Sequence, residues 1–178
     1  LIANSDTGYL ASTPELFKNF ADFAKSKWNW QPDISMIYNT VDVGVGMIEM
    51  ARMVVNPGDK ILASSPVYHN IYNWITELKC ELIDAPMQKV GMEYSLDLNA
   101  IEAGFKQGAK IYFLCNPQNP TGSVHSKSDL IAIAILAQKY GAKVFSDEIH
   151  APLTFSNQMF HPFLSLGEVA TEVGVVVT

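Results

Sequence analysis

Cys115–Gly122 reads Cys-Asn-Pro-Gln-Asn-Pro-Thr-Gly, and Ser146–His150 reads Ser-Asp-Glu-Ile-His. Each follows an apolar run with strand character, Lys110–Leu114 and Lys143–Phe145, and one amphipathic helical pattern lies between them. The layout is therefore strand, polar turn, helix, strand, polar turn. In an open parallel sheet such turns lie at the carboxyl ends of neighbouring strands, where ligands bind. This arrangement predicts that Asn119 and Asp147 meet on one flat, polar, anionic ligand.

The same rhythm extends in both directions. Upstream of the first turn, Lys60–Ser64, with Ile61 and Leu62, and Cys80–Ala85 read as strands. Between them Ser65-Pro66 opens a helix whose Ile71, Trp74, Ile75 and Leu78 line one face. Asp97 caps a short helix over Leu98–Phe105, and Gly108 ends it. Ser126-Lys127-Ser128-Asp129 has the form of a capping box, and Leu130, Ile133, Ala134 and Ala137 form the apolar stripe of the helix it starts. Nearer the start, Ser12-Thr13-Pro14-Glu15 opens a helix with Leu16, Phe17, Phe20, Phe23, Ala24 and Trp28 on one face. Ile34–Tyr38 reads as a short strand. Asn39–Gly46 reads as a glycine-bearing turn before a helix over Met47–Val55, and Val173–Val177 as the last strand. Strands alternating with helices predict an α/β fold: a mostly parallel sheet with helices on both faces, in three layers.

Composition narrows the function classes. The 178 residues carry a net charge of −6 and 48% hydrophobic residues, ordinary for one globular domain. No run of Lys or Arg offers a footprint for a phosphate backbone, which argues against nucleic acid as a partner. Apolar runs such as Ile131–Ala137 are far too short to span a membrane. Cys80 and Cys115 read as reduced, packed thiols. Together these features predict a soluble, cytoplasmic protein.

The polar turns then acquire chemistry. A carboxylate such as Asp147, held at a strand end in apolar surroundings, suits a ring nitrogen that must stay protonated, as pyridoxal phosphate requires. Asn119, stiffened between Pro117 and Pro120, suits a ring hydroxyl. Gly44 and Gly46 at the mouth of a helix let backbone N–H groups approach an anion. Tyr68, just past a strand end, could cover a bound ring. A dinucleotide-binding reading lacks the Gly-x-Gly-x-x-Gly turn it needs.

Asn-Pro-Gln-Asn-Pro-Thr-Gly followed by Ser-Asp-Glu-Ile-His resembles the fold-type I pyridoxal-phosphate enzymes of the aminotransferase class I/II family, and within it the cystathionine β-lyase (C–S lyase, MalY/PatB-type) subgroup. Asn56-Pro57-Gly58-Asp59, Ser65-Pro66-Val67-Tyr68 and Asp6-Thr7-Gly8-Tyr9 resemble further stretches of that family, in the same order. The resemblance implies pyridoxal 5'-phosphate as cofactor, with Asn119 on its phenolic oxygen, Asp147 on its pyridine nitrogen, His150 near the same oxygen and Tyr68 stacked on the ring. Val43 and Gly44 would offer amides to the phosphate, and Tyr9 would reach the phosphate of a neighbouring subunit in a homodimer. It further implies that residues 1–178 are an incomplete large domain. The Schiff-base lysine is expected beyond Thr178, and the small domain with its carboxylate-binding arginine is likewise expected outside the chain. Arg52, the sole arginine, is a poor substitute for that arginine. The implied activity is cleavage of a β-thiol-substituted amino acid to pyruvate, ammonia and a thiol. The alternatives are amino transfer between an amino acid and a 2-oxo acid, and a fragment that binds the cofactor without catalysis.

Overall fold

The computed structural model describes residues 14–178. The chain divides into two compact units, residues 1–39 and 40–178. Tyr9 and the Ser12-Thr13 cap lie outside the described residues.

In the first unit, helix α1 (Pro14–Trp28) begins on a proline, whose missing N–H would have had no partner in the first turn. It ends where Asn29 adopts a left-handed φ of 51°. The expected apolar face is only partly buried. Ala21 and Ala24 are enclosed, whereas Leu16 and Phe23 remain 55% and 36% exposed. The aromatics pair locally instead, Phe23 edge-on to Trp28 and Phe20 edge-on to Trp30. Ile34–Met36 is a turn of 3-10 helix, not the expected strand, because the Asp33 carboxylate takes the Ser35 N–H at 2.9 Å and folds the backbone inward.

The second unit runs α2 (Val43–Arg52), β1 (Lys60–Ala63), α3 (Asn70–Glu77), β2 (Glu81–Asp84), the hairpin β3 (Gln88–Val90) and β4 (Glu93–Ser95), α4 (Leu98–Lys106), β5 (Ala109–Cys115), α5 (Lys127–Lys139), β6 (Lys143–Asp147), α6 (Glu168–Val173) and β7 (Gly174–Val177). The expected caps form. Asp97 accepts from the Asn99 and Ala100 N–H groups, and Ser126 Oγ accepts from the Asp129 N–H at 3.1 Å. Two helix starts differ from expectation. Asp42 caps α2 by accepting the Val45 N–H at 2.8 Å, so Gly44 and Gly46 lie inside the helix and not in a loop before it. α3 begins at Asn70, because Ser65 is bound through its N–H and Oγ to Asp84 and holds the preceding residues in a turn.

The main sheet is parallel throughout, in the order β2-β1-β5-β6-β7. From β1 the chain moves outward to β2 and then returns to the other side of β1 at β5. The sheet thus has a switch point between β1 and β5, with β6 next to it. On one face Ile61, Ile111, Phe113 and Phe145 pack against Met47 and Ala51 of α2 and Ile71, Trp74 and Ile75 of α3. On the other, Leu62, Tyr112, Leu114 and Val144 pack against Ile101 and Phe105 of α4 and Leu130, Ile133, Ala134 and Ala137 of α5. Each fully buried Leu or Ile contributes about 1.5–3 kcal/mol, so alternation along β5 and β6 locks the register of both layers. α4 lies so close to the sheet that a side chain at Gly104 would collide with Leu62. The architecture is the expected three-layer α/β/α sandwich.

Candidate active site

Three strand ends deliver the polar residues. After β1, the turn fixed by Ser65 and Asp84 carries Tyr68, whose hydroxyl accepts a hydrogen bond from Asn70 Nδ2 at 2.6 Å. Asn70 Oδ1 in turn accepts from Asn73 Nδ2 at 2.9 Å, which fixes the orientation of the Asn70 amide. After β5, the loop from Asn116 closes on itself, with Gln118 N–H to Ser123 O at 2.8 Å and Gly122 N–H to Gln118 O at 2.7 Å. Gln118 is buried and ties this loop to the β1 turn by donating Nε2–H to Pro66 O at 2.7 Å. Asn116 N–H donates to Asp147 O at 2.9 Å, so the β5 and β6 ends are stitched together. These bonds leave the Asn119 carboxamide without a partner among the described residues, while its backbone N–H rests on Cys115 Sγ.

At the end of β6, Asp147 is 4% exposed, and Oδ1 accepts the Ile149 N–H at 3.2 Å. Oδ2 has no donor among the described residues. Burial raises the Asp147 carboxyl above its ordinary range, and the Ile149 N–H and the nearby His150 pull it partly back. Cys115 beneath Asn119 stays a thiol, since burial pushes it up to about 12. Its Sγ donates to Pro117 O at 3.3 Å.

The strand ends and the start of α2 enclose a cavity of about 550 Å³ lined by Asp42, Val43, Gly44, Tyr68, Asn70, Trp74, Cys115, Asn119, Asp147, Ile149 and His150. The cavity brings together Val43, Gly44, Tyr68, Asn119, Asp147 and His150, all singled out in the sequence; Tyr9 lies outside the described residues. It also contains residues that the sequence reading passed over. Asp42 carried an N-cap signal that could have been used. Trp74 lies in a helical stripe that reads as packing, and Cys115 reads as core. His125 is 5% exposed, with Nε2 3.1 Å from Cys115 O, so it packs under the loop and not in the cavity. Among the described residues no His, Cys, Asp or Glu group could hold a metal ion.

Among the described residues the arrangement offers an unpaired acceptor at Asp147 Oδ2, an unpaired amide at Asn119 and an aromatic face at Tyr68, beside the first N–H groups of α2, which have no acceptor within the helix. Such a set fits a planar ring with a protonated nitrogen, an oxygen substituent and a phosphate. The model for aminotransferase class I and II matches residues 3–178. The chain belongs to this family. It is 38% identical over 174 residues to a Mycobacterium leprae protein provisionally named a cystathionine β-lyase, covering 93% of this chain and 42% of that one. It is 24% identical over 169 residues to the cystathionine β-lyase PatB of Bacillus subtilis, covering 94% and 44%. Cystalysin from Treponema denticola, whose crystal structure contains pyridoxal 5'-phosphate, superimposes with a TM-score of 0.92 at 24% identity, over 98% of this chain and 45% of that one. The family member described here thus spans 42–45% of the length of these relatives. No described helix is long and apolar enough to cross a membrane.

Proposed function

We propose that residues 1–178 form the cofactor-holding part of the large domain of a pyridoxal-phosphate-dependent C–S β-lyase. The observation that carries this reading is Asp147: a buried carboxylate with one oxygen unpaired among the described residues, lining a cavity that it shares with an Asn119 amide likewise unpaired among them. A lone buried carboxylate is costly unless a cationic donor meets it. Asp147 would take the ring N–H⁺ of the cofactor, and that pairing would return its carboxyl to the ionised form. Asn119 would donate to the phenolic oxygen, with His150 beside it, and Tyr68 would cover one face of the ring. Val43 and Gly44 would offer N–H groups to the phosphate at the positive end of α2. Tyr9 of a second copy would reach the same phosphate in a homodimer.

Bound in this way, the cofactor supplies an electron sink for the bonds at the substrate α-carbon. The chain's own part is to keep the ring nitrogen protonated through Asp147, to fix the tilt of the ring between Tyr68 and the α2 side, and to exclude water from the Asp147 side of the cavity. Lyase chemistry is favoured over amino transfer by the sequence similarity to the Mycobacterium leprae protein and to PatB. The test is product analysis on the whole protein. With cystathionine and water, the lyase reading expects pyruvate, ammonia and a thiol in equal amounts without an added 2-oxo acid. Amino transfer that depends on a 2-oxo acid, with no pyruvate formed from cystathionine, would replace it with the aminotransferase reading.

A further inference from the structure

Trp74 is only 8% exposed, held edge-on between Phe113 and Tyr68 on the sheet side of α3. A buried indole N–H normally has an acceptor. This one has none among the described residues. Nor is it sealed in apolar surroundings. Trp74 lines the cavity, and its Nε1 is the nearest atom, at 3.1 Å, to the point where a Cβ on Gly44 would stand. The indole nitrogen therefore stands at the first turn of α2, a helix of ten residues, whose Val43 and Gly44 line the same cavity and whose first N–H groups have no acceptor within the helix. Asp42 Oδ1 is close by, 3.3 Å from the same point, and it is engaged by the Val45 N–H. A side chain at position 44 would crowd the indole nitrogen, which would have to give way by a few tenths of an ångström.

We propose that Trp74 Nε1–H is a side-chain member of the anion cradle at the start of α2, a third donor to a phosphate monoester dianion. The inference rests on the reading of the cavity as a pyridoxal-phosphate site and adds to it a residue and a selectivity. Backbone amides alone would grip any anion. An indole donor fixed by two aromatic neighbours adds direction, and it gives the phosphorylated ligand an advantage over its unphosphorylated form. One hydrogen bond to a charged group is worth about tenfold or more in affinity.

The experiment compares the apo form of the whole protein with its Trp74→Phe variant, which keeps a ring in place and removes the N–H. Binding of pyridoxal phosphate, pyridoxal and inorganic phosphate is measured by equilibrium dialysis. The variant is expected to lose about tenfold in affinity for pyridoxal phosphate and for inorganic phosphate, and to hold pyridoxal within about twofold. Equal losses for pyridoxal and pyridoxal phosphate, or no loss for either, overturn the proposal. A measurement on the wild type keeps the test decisive if the variant does not fold. One indole N–H proton resonance should move downfield with pyridoxal phosphate and with inorganic phosphate but not with pyridoxal, and the absence of any such shift overturns the proposal. A wild type that binds pyridoxal phosphate while the variant is unchanged leaves the cofactor reading standing and removes Trp74 alone. A wild type that binds neither pyridoxal phosphate nor pyridoxal overturns both.

Discussion

Asp147 and Glu148 are neighbours in the chain, both carboxylates and both nearly inaccessible, at 4% and 2% exposure. Their side chains serve opposite faces of the sheet. Asp147 looks to the α2 and α3 side, where it accepts one hydrogen bond and, among the described residues, keeps an oxygen unpaired beside the cavity. Glu148 turns to the α4 and α5 side, where Oε1 accepts from Ser146 Oγ at 3.0 Å and from the Phe163 N–H at 2.8 Å. Burial pushes the Glu148 carboxyl up to about 8, so it is a neutral acid over much of the physiological range and pins the Phe163 turn. The difference shows that burial does not separate a working carboxylate from a structural one. What separates them is how much hydrogen-bonding capacity the fold has left unused, and on which side of the sheet.

That contrast can be broken by substitution. Asp147→Asn removes the charge that would hold the ring nitrogen protonated, and a loss of about a thousandfold in kcat is expected for pyruvate release by the whole protein. Glu148→Gln, one residue away, keeps an acceptor for Phe163 and should leave that rate within about tenfold. A reversal of these effects in steady-state assays would show that the two faces have been assigned the wrong way round.

The structural face should report through stability. The folded pKa of Glu148 is raised above its unfolded value near 4.5, so the native state binds the extra proton between the two. Its contribution is therefore fully present below about 4.5 and is lost as pH rises through about 8. Thermal melts of the wild type should lose stability across that window relative to Glu148→Gln, whose amide does not titrate. Parallel curves for the two proteins would mean that Glu148 is ionised in the fold. His125 has the opposite sign. Burial lowers it to about 4, so stability held above its unfolded value of 6.5 is lost as pH falls toward 4.

Gly104→Ala sharpens the comparison further. A methyl group driven into Leu62 should cost about 1–3 kcal/mol in denaturant melts. Ser126→Ala, removing the cap of α5, should cost about 1 kcal/mol. Both substitutions act on the face away from the cavity, so cofactor affinity in dialysis should be unchanged for each. A drop in affinity comparable to that from loss of a cavity residue would show that the layers are not independent.

Much of this was legible in the sequence because it depends on local chemistry. Asp97 and Ser126 marked the starts of α4 and α5, and apolar runs bounded by turns marked β1, β5 and β6. The two polar turns announced the strand ends at which Asn119 and Asp147 stand. The rest depends on what packs across space. A stripe at helical spacing gave Trp74 a buried face, but the unpaired N–H on that face emerges only when α3 meets the start of α2. A stripe of the same kind in α1 predicts burial for Leu16 and Phe23, and periodicity carries no information on what covers it. Gly44 and Gly46 suggest a loop because glycine is a poor helix former, yet the Asp42 cap starts α2 ahead of both and places them within the helix.

The central claim is that Asp147 meets the pyridine nitrogen of the cofactor. Nitrogen magnetic resonance on the whole protein, loaded with pyridoxal phosphate isotopically labelled at the ring nitrogen, tests it most directly. The account predicts a protonated ring nitrogen at neutral pH in the wild type and an unprotonated one in Asp147→Asn. An unprotonated nitrogen in the wild type, or the same protonated signal in both, would contradict it.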